Sequence, residues 1–158
     1  MPTRGLDHHS LADLTAAFRS AAGVDLDQLL GDHRAEFAGP LHLRLTGPLL
    51  MSATGMPHWY GKRFRPHNSD DTTLQGTNLL RRDDRITESV PMTASIRASR
   101  LDGQPALVVS YRRHAPWPWR NVNDELRPHG EATLIGLTFG IPAAPRNGAP
   151  FLLHRITR

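Results

Sequence analysis

The feature that most limits the fold of this chain is a pair of predicted strands joined by a tight-turn signal. Residues 91–100 alternate between apolar and polar side chains, which is the two-residue period of a β-strand, and residues 104–112 form a second predicted strand. Between them lies Asp102-Gly103, a dipeptide typical of a β-hairpin turn. The chain is therefore predicted to contain an antiparallel hairpin in its centre.

Similar short segments recur along the chain after residue 40, where the apolar spacing changes to that of strands. They are separated by Gly, Pro, Asn or Asp, and the predicted strands cover residues 41–46, 58–65, 74–81, 85–89, 91–100, 104–112, 121–127, 131–139 and 150–156. Many short antiparallel strands are typical of a barrel or a sandwich. Closure removes exposed edges, and about eight strands leave room for one small ligand. We expect an α+β, mainly β fold: an antiparallel barrel with a central cavity.

Two short helices are predicted before the strands. For the first helix, Ser10 is a good N-cap and Gly23 is predicted to end the helix. Its apolar residues share one face: Leu11, Leu14, Ala17, Phe18 and Ala21. Asp25 and Gln28 have capping-box spacing for a second helix. These helices either cover one end of a sheet or form a lid. Residues 1–9 are predicted to be a flexible leader and residues 10–158 a single domain.

Composition excludes several kinds of function. The chain has no cysteine, which excludes disulfides and cysteine-bound zinc and fits a cytoplasmic protein. The net charge is only +4 and the basic residues are scattered along the sequence, so no nucleic-acid partner is predicted. No apolar run is long enough to span a bilayer, so no membrane partner is predicted. The nine histidines have no metal-binding spacing and no phosphate-binding loop is present, so neither metal nor cofactor is predicted.

The segment from His58 to Phe64 combines an imidazole, an indole, a phenol and the only lysine of the chain, Lys62. Strand alternation predicts Trp59 on one face and His58, Tyr60 and Lys62 on the other. Ligand pockets combine aromatic walls with a few polar groups. Trp59, Tyr60 and Lys62 are therefore candidate ligand-binding residues. Alternatively, the aromatic side chains close the barrel and Lys62 lies in solvent.

Asp124 is the most informative polar residue. Alternation along residues 121–127 places it on the same face as Val122 and Leu126. A buried carboxylate must find a cation or hold its proton, and burial can tune it for acid–base catalysis. The alternative is a structural ion pair with an arginine such as Arg112.

Other candidate site residues depend on which strands are neighbours. Tyr111 would place its phenol near Asp124, so Asp124, Tyr111 and His58 are candidates for proton transfer. Met92 and Ile96 share a predicted inward face with two alanines, and small residues there would leave a cavity unfilled. Asn78 is a further ligand-binding candidate because it could supply an amide to a pocket. Trp117 and Trp119 are the last two candidates, since they place two indoles in a loop whose prolines exclude a central strand.

Two stretches resemble an uncharacterised bacterial family. His58–Phe64 is similar to the W-Y-G-K-R-F string of the region called the GXWXG domain. Tyr111, residues 116–120, Asp124 and residues 134–137 resemble the domain of unknown function that follows it. Residues 31–37 stand where the first Gly-x-Trp-x-Gly motif would lie and contain no tryptophan. The resemblance implies a compact barrel related in shape to lipocalins and supplies no established catalytic residues.

Three functions are compatible with these features. The first is binding of a hydrophobic small molecule in a lipocalin-like barrel. The second is a cofactor-independent isomerase or cyclase that uses the same cavity with acid–base groups. The third is a protein-interaction module in which Trp117 and Trp119 form an exposed patch.

Overall fold

The computed structural model describes residues 8–157 and shows a closed antiparallel barrel of eight strands. The strands are β1 (Gly31–Phe37), β2 (Trp59–His67), β3 (Asp70–Arg82), β4 (Arg85–Ala98), β5 (Pro105–Tyr111), β6 (Asn123–Pro128), β7 (Thr133–Phe139) and β8 (Ala149–Arg155). Each strand pairs with the next along the chain, and β8 pairs with β1. The predicted mainly β barrel is confirmed. Most of the predicted leader, residues 1–7, lies outside the described residues.

The predicted central hairpin forms between β4 and β5. Met92 pairs with Tyr111 and Ala94 pairs with Val109. In the turn, the Asp102 carboxylate accepts a hydrogen bond from the amide of Gln104 at 3.0 Å. Alternation along these strands divides the apolar residues between the barrel interior and its outer surface.

Two apolar layers result from this alternation. The interior layer includes Leu107 and Val109, whereas Val108 between them belongs to an outer layer. Helix α1 (Leu11–Ser20) covers the outer layer with the buried side chains of Leu14 and Phe18. The predicted Ser10 cap is present, although the helix ends before Gly23, at Ser20, with Ala21 as its C-cap. Within residues 8–157, no helix has the length and apolar character needed to cross a membrane.

The second predicted helix is a short 3₁₀ helix (Leu26–Leu29) with the predicted capping box between Asp25 and Gln28. Leu29 is fully buried and belongs to the interior layer. The 3₁₀ helix thus lies against the barrel end at which β1 begins.

The predicted strand at residues 41–46 is wrong. These residues begin helix α2 (Leu41–Ala53), and the first strand of the barrel is β1, which the sequence patterns did not indicate. Alternating leucines misled the prediction, because Leu41 and Leu45 are 60% and 63% exposed and do not face an interior. Pro48 lies inside this helix.

Two further strand predictions need correction. The predicted strands 85–89 and 91–100 form the single strand β4, with an irregular pairing near Val90, whose φ is +50°. Ile96 follows the inward face of β4 and pairs with Leu107, but it lies at the barrel end away from Tyr111. There, close to the end of its strand, it is 44% exposed.

Candidate functional site

One end of the barrel encloses a cavity of about 280 Å³. At this end, called the mouth end below, β1, β3, β5 and β7 finish and β2, β4, β6 and β8 begin. Helix α2 and the connection between β7 and β8 cover the cavity. Its walls are largely apolar and include Phe37, Met51, Trp59, Trp119, Ile141 and Phe151.

The barrel strands direct four polar side chains at the cavity, Lys62, Tyr111, Asp124 and Thr138, and Thr46 of α2 lies on its covered side. The Lys62 Nζ lies 3.0 Å from Asp124 Oδ2 and donates a hydrogen bond of 2.7 Å to the Tyr111 hydroxyl. Tyr111 in turn donates to Asp124 Oδ2 at 3.0 Å, and Thr138 donates to Oδ1 at 2.8 Å. The carboxylate therefore accepts hydrogen bonds through both oxygens.

Asn78 completes this polar network from the neighbouring strand. Its Oδ1 accepts hydrogen bonds from Lys62 Nζ at 3.1 Å and from Trp59 Nε1 at 3.0 Å. Its Nδ2 donates to the carbonyl of Val90 at 3.2 Å, which fixes the orientation of the amide. The Lys62 ammonium thus has three oxygen atoms within 3.1 Å. Such contacts offset the cost of burying an ion pair.

A β-bulge at Tyr60 explains why Trp59 and Lys62 both face the cavity. Trp59 pairs with Leu80 and Gly61 pairs with Leu79, so Tyr60 is an extra residue without a partner on β3. The predicted alternation is wrong here, because one inserted residue shifts every later side chain to the other face. Tyr60 does not line the cavity and instead contacts Arg81, whose guanidinium carbon lies 5.3 Å from the ring centroid.

Electrostatics favour a neutral phenol in the network. Burial raises the pKa of the Tyr111 hydroxyl well above its usual value, and the neighbouring Asp124 carboxylate raises it further. Tyr111 therefore keeps its proton and acts as a donor to the carboxylate. The formal charges of Lys62 and Asp124 cancel, which leaves an uncharged but strongly polar floor beneath apolar walls.

The structure brings together most of the predicted site. Trp59, Lys62, Tyr111, Asp124 and Trp119 line the cavity, and Asn78 lies directly behind them. The predicted proximity of Tyr111 and Asp124 is confirmed by their hydrogen bond. The partner of Asp124 is the lysine of β2 and not an arginine.

Other predicted residues lie elsewhere. His58 is exposed, has a φ of +57° and precedes β2, so its imidazole does not line the cavity. Met92 is buried in the interior layer without reaching the cavity, and Ile96 lies at the opposite end of the barrel. A role for His58 in proton transfer is therefore not supported by its position.

The two indoles of the 112–122 connection have different environments. Trp117 is 60% exposed, whereas Trp119 is 2% exposed and its Nε1 donates to the carbonyl of Thr54 at 2.8 Å. The Trp119 ring also packs 5.4 Å from that of Tyr111, between centroids. The predicted patch of two exposed tryptophans is therefore wrong, because one of them forms a wall of the cavity.

Sequence patterns missed several cavity residues. Thr138 continues the inward face of β7 with Leu134 and Gly136, so alternation could have identified it. Phe37 and α2 gave no such signal, since their place depends on a contact between distant residues. Gly47 of α2 lies against the Phe37 ring so closely that a Cβ there would overlap with it.

Comparisons with known proteins support the fold alone. A solved structure described as a protein from Thermomonospora curvata superposes with a TM-score of 0.64 and 20% sequence identity, over 96% of this chain and 90% of that chain. No protein-family model matches the chain, and no curated protein matches it. Among residues 8–157, no cluster of three or more His, Asp or Glu side chains is placed to hold a metal ion.

Proposed function

We propose that the barrel binds a small, uncharged and mainly apolar molecule that carries one hydrogen-bonding group. The observation that supports this most is the cavity of about 280 Å³ with apolar walls and a polar network at its floor. This volume is near the lower end of the ~300–1,000 Å³ that is usual for small-molecule sites. Apolar walls with a few fixed polar groups are also the usual composition of such sites.

The charge balance of the floor favours a neutral ligand. Lys62 and Asp124 compensate each other at 3.0 Å, and the ammonium also donates hydrogen bonds to Asn78 and Tyr111. An anionic ligand would have to compete with the Asp124 carboxylate for Lys62. A ligand hydroxyl, in contrast, can donate to a lone pair of the Thr138 hydroxyl, whose own proton goes to Asp124, without adding a charge to a dry site.

Binding can be tested with the neutral fluorescent probe N-phenyl-1-naphthylamine, whose emission rises in apolar surroundings. We expect saturable binding that an Ala149→Phe substitution weakens at least ten-fold, because Ala149 lines the cavity and the added ring would fill it. Ala98→Phe is a matched control on an exposed position of β4. Equal binding by the wild type and both variants would refute a site inside the barrel.

A second candidate is an enzyme that needs no cofactor, such as an isomerase or a cyclase. It is favoured by the Asp124 carboxylate and the Tyr111 phenol, which meet at 3.0 Å on the cavity floor. Once mass spectrometry of the purified protein identifies a retained small molecule, Asp124→Asn and Tyr111→Phe separate the two functions. A binding protein loses only modest affinity in these variants, whereas an enzyme keeps binding and loses turnover.

The lipocalin-like character, the relationship to the GXWXG-type family and a cytoplasmic location belong to the same proposal. The first two are supported by a barrel whose strands follow chain order around a small-molecule cavity, with the W-Y-G-K-R-F string supplying Trp59 and Lys62 to it. The proposed location is supported by a sequence without cysteine.

A further inference from the structure

Exposed apolar side chains concentrate at the mouth end of the barrel. Among the described residues, eight large hydrophobic side chains are exposed, and six of them lie at this end: Leu41, Leu45, Leu49, Leu50, Ile86 and Trp117. Leu41, Leu45 and Leu49 are spaced four residues apart on α2 and therefore share one face of the helix. Their exposed fractions are 60%, 63% and 70%, so nothing within residues 8–157 covers this face.

Positive charge concentrates at the same end. Three of the four connections at the mouth end cover residues 38–58, 112–122 and 140–148. They contain five of the nineteen basic residues and none of the fifteen acidic ones. The rest of the chain carries fourteen basic and fifteen acidic residues, so the positive excess of the protein resides in these connections. The fourth connection, the β3–β4 turn, is balanced by Asp83 and Asp84 beside Arg82 and Arg85.

The arginines of the mouth end are available to a partner. Arg112, Arg113, Arg120 and Arg146 are exposed, and none of them has an ion-pair partner within residues 8–157. Arg44 of α2 is half-buried and donates through Nε to the carbonyl of Gly39.

We propose that the mouth end of the barrel docks on an anionic lipid surface. Leucines and an exposed tryptophan surrounded by arginines are the composition of segments that lie in a bilayer interface. Basic residues close to an anionic surface contribute about 1 kcal/mol each. The prediction of no membrane partner rested on the lack of a spanning segment, which surface docking does not require.

A second copy of the chain fits this surface less well. In a two-fold symmetric dimer the same patch would face itself, and the exposed arginines of both copies would meet without acidic partners. Docking on lipid instead places the cavity mouth at the bilayer surface, from which an apolar molecule can enter under α2. The docking itself does not depend on the proposed ligand function, because an empty barrel presents the same surface.

The test is co-sedimentation of the full chain with vesicles of phosphatidylcholine, with and without phosphatidylglycerol. We expect binding to the anionic vesicles, weakened by added salt, and little binding to phosphatidylcholine alone. Replacing Arg112 and Arg113 by alanine should weaken binding roughly five-fold for each arginine, the equivalent of about 1 kcal/mol. Arg97→Ala, on an exposed position at the other end of β4, is the matched control and should have no effect.

The apolar half of the surface is tested in the same assay. Leu45→Ser and Leu49→Ser should weaken vesicle binding, whereas Ile96→Ser at the opposite end should not. Leu45 and Leu49 do not line the cavity, so both variants should bind N-phenyl-1-naphthylamine in solution as the wild type does. Unchanged binding of this probe would also show that the variants are folded. Trp117 provides a direct readout: its emission should shift to the blue on anionic vesicles, and this shift should be absent in Trp117→Phe.

Three results would overturn the proposal. The first is no binding to any vesicle, and the second is equal binding to neutral and anionic vesicles. The third is self-association in analytical ultracentrifugation that Leu45→Ser abolishes, which would show that a second copy covers the surface. Since the vesicle assay needs no ligand, its failure would leave the proposed ligand site standing, and failure of the probe assay would leave the docking surface standing.

Discussion

Replacing Lys62 by methionine tests whether the polar floor acts as one coupled unit. Methionine keeps most of the apolar stem but removes the ammonium group, which leaves Asp124 buried without its cation. Both side chains are almost inaccessible, at 2% and 3% exposure. Removing one partner of a buried ion pair costs about 3–5 kcal/mol, because the remaining charge is not compensated. We expect Lys62→Met to lower the free energy of unfolding by this amount, and Asp124→Leu by a similar amount.

The double variant Lys62→Met/Asp124→Leu distinguishes coupling from simple loss of contacts. It leaves no uncompensated charge; what remains is the loss of an acceptor for the hydroxyls of Tyr111 and Thr138. A buried hydroxyl without a partner costs about 1–3 kcal/mol. The double variant should therefore cost no more than about 2–6 kcal/mol, below the roughly 6–10 kcal/mol obtained by adding the two single variants.

The measurement is urea denaturation followed by far-ultraviolet circular dichroism, with the slope checked for constancy between variants. Arg65→Met is the matched control, since Arg65 and Glu88 form an ion pair of 2.9 Å in which both side chains are exposed, at 62% and 42%. It should change stability by less than about 1 kcal/mol. Additive costs in the double variant, or a Lys62→Met effect as small as that of Arg65→Met, would refute a coupled buried pair.

Two other predictions concern the frame around the site. Gly61→Ala should destabilise the barrel by several kcal/mol in the same denaturation assay, because a Cβ there would collide with the carbonyl of His33 on β1. A decrease of less than about 1 kcal/mol in the free energy of unfolding would contradict that contact. The hydrogen bond from the buried Arg127 guanidinium lowers the pKa of Asp102 to about 2, against about 3.9 in an unfolded chain. The pair therefore stabilises the fold above about pH 4, and this stabilisation is lost as the pH falls towards about 2. Asp102→Asn should therefore be less stable than the wild type at neutral pH, with a gap that closes on acidification; a gap independent of pH would refute the assignment.

Local signals in the sequence identified the features that depend on neighbouring residues. The β4–β5 hairpin, the Ser10 cap and the inward position of Asp124 all follow from spacing within a few residues. Tyr111 could be placed near Asp124 because both strands alternate regularly. Alternation is a reliable guide where one face of a strand is buried and no residue is inserted.

The features that were missed depend on tertiary structure. No residue type in this segment predicts the bulge at Tyr60. The bulge nevertheless places Trp59 and Lys62 on the same face of the strand, towards the cavity. The leucines of α2 fit a strand as well as a helix, and the close contact of Gly47 with Phe37 helps to position the helix over the mouth. Both misjudgements arise at the site itself, where the chain departs from regular alternation.

The hydrogen bonding of Asp124 bears on the choice between binding and catalysis. The carboxylate receives hydrogen bonds from Tyr111 and Thr138 and faces the Lys62 ammonium at 3.0 Å. Three of the roughly four lone-pair sites of the carboxylate are occupied in this way, and the three partners are all held on strands of a closed barrel. A rigid network selects and orients a polar group, whereas a general base needs a lone pair directed at the substrate. Only the second lone pair of Oδ1 remains for a bound molecule, so the geometry favours binding over proton transfer.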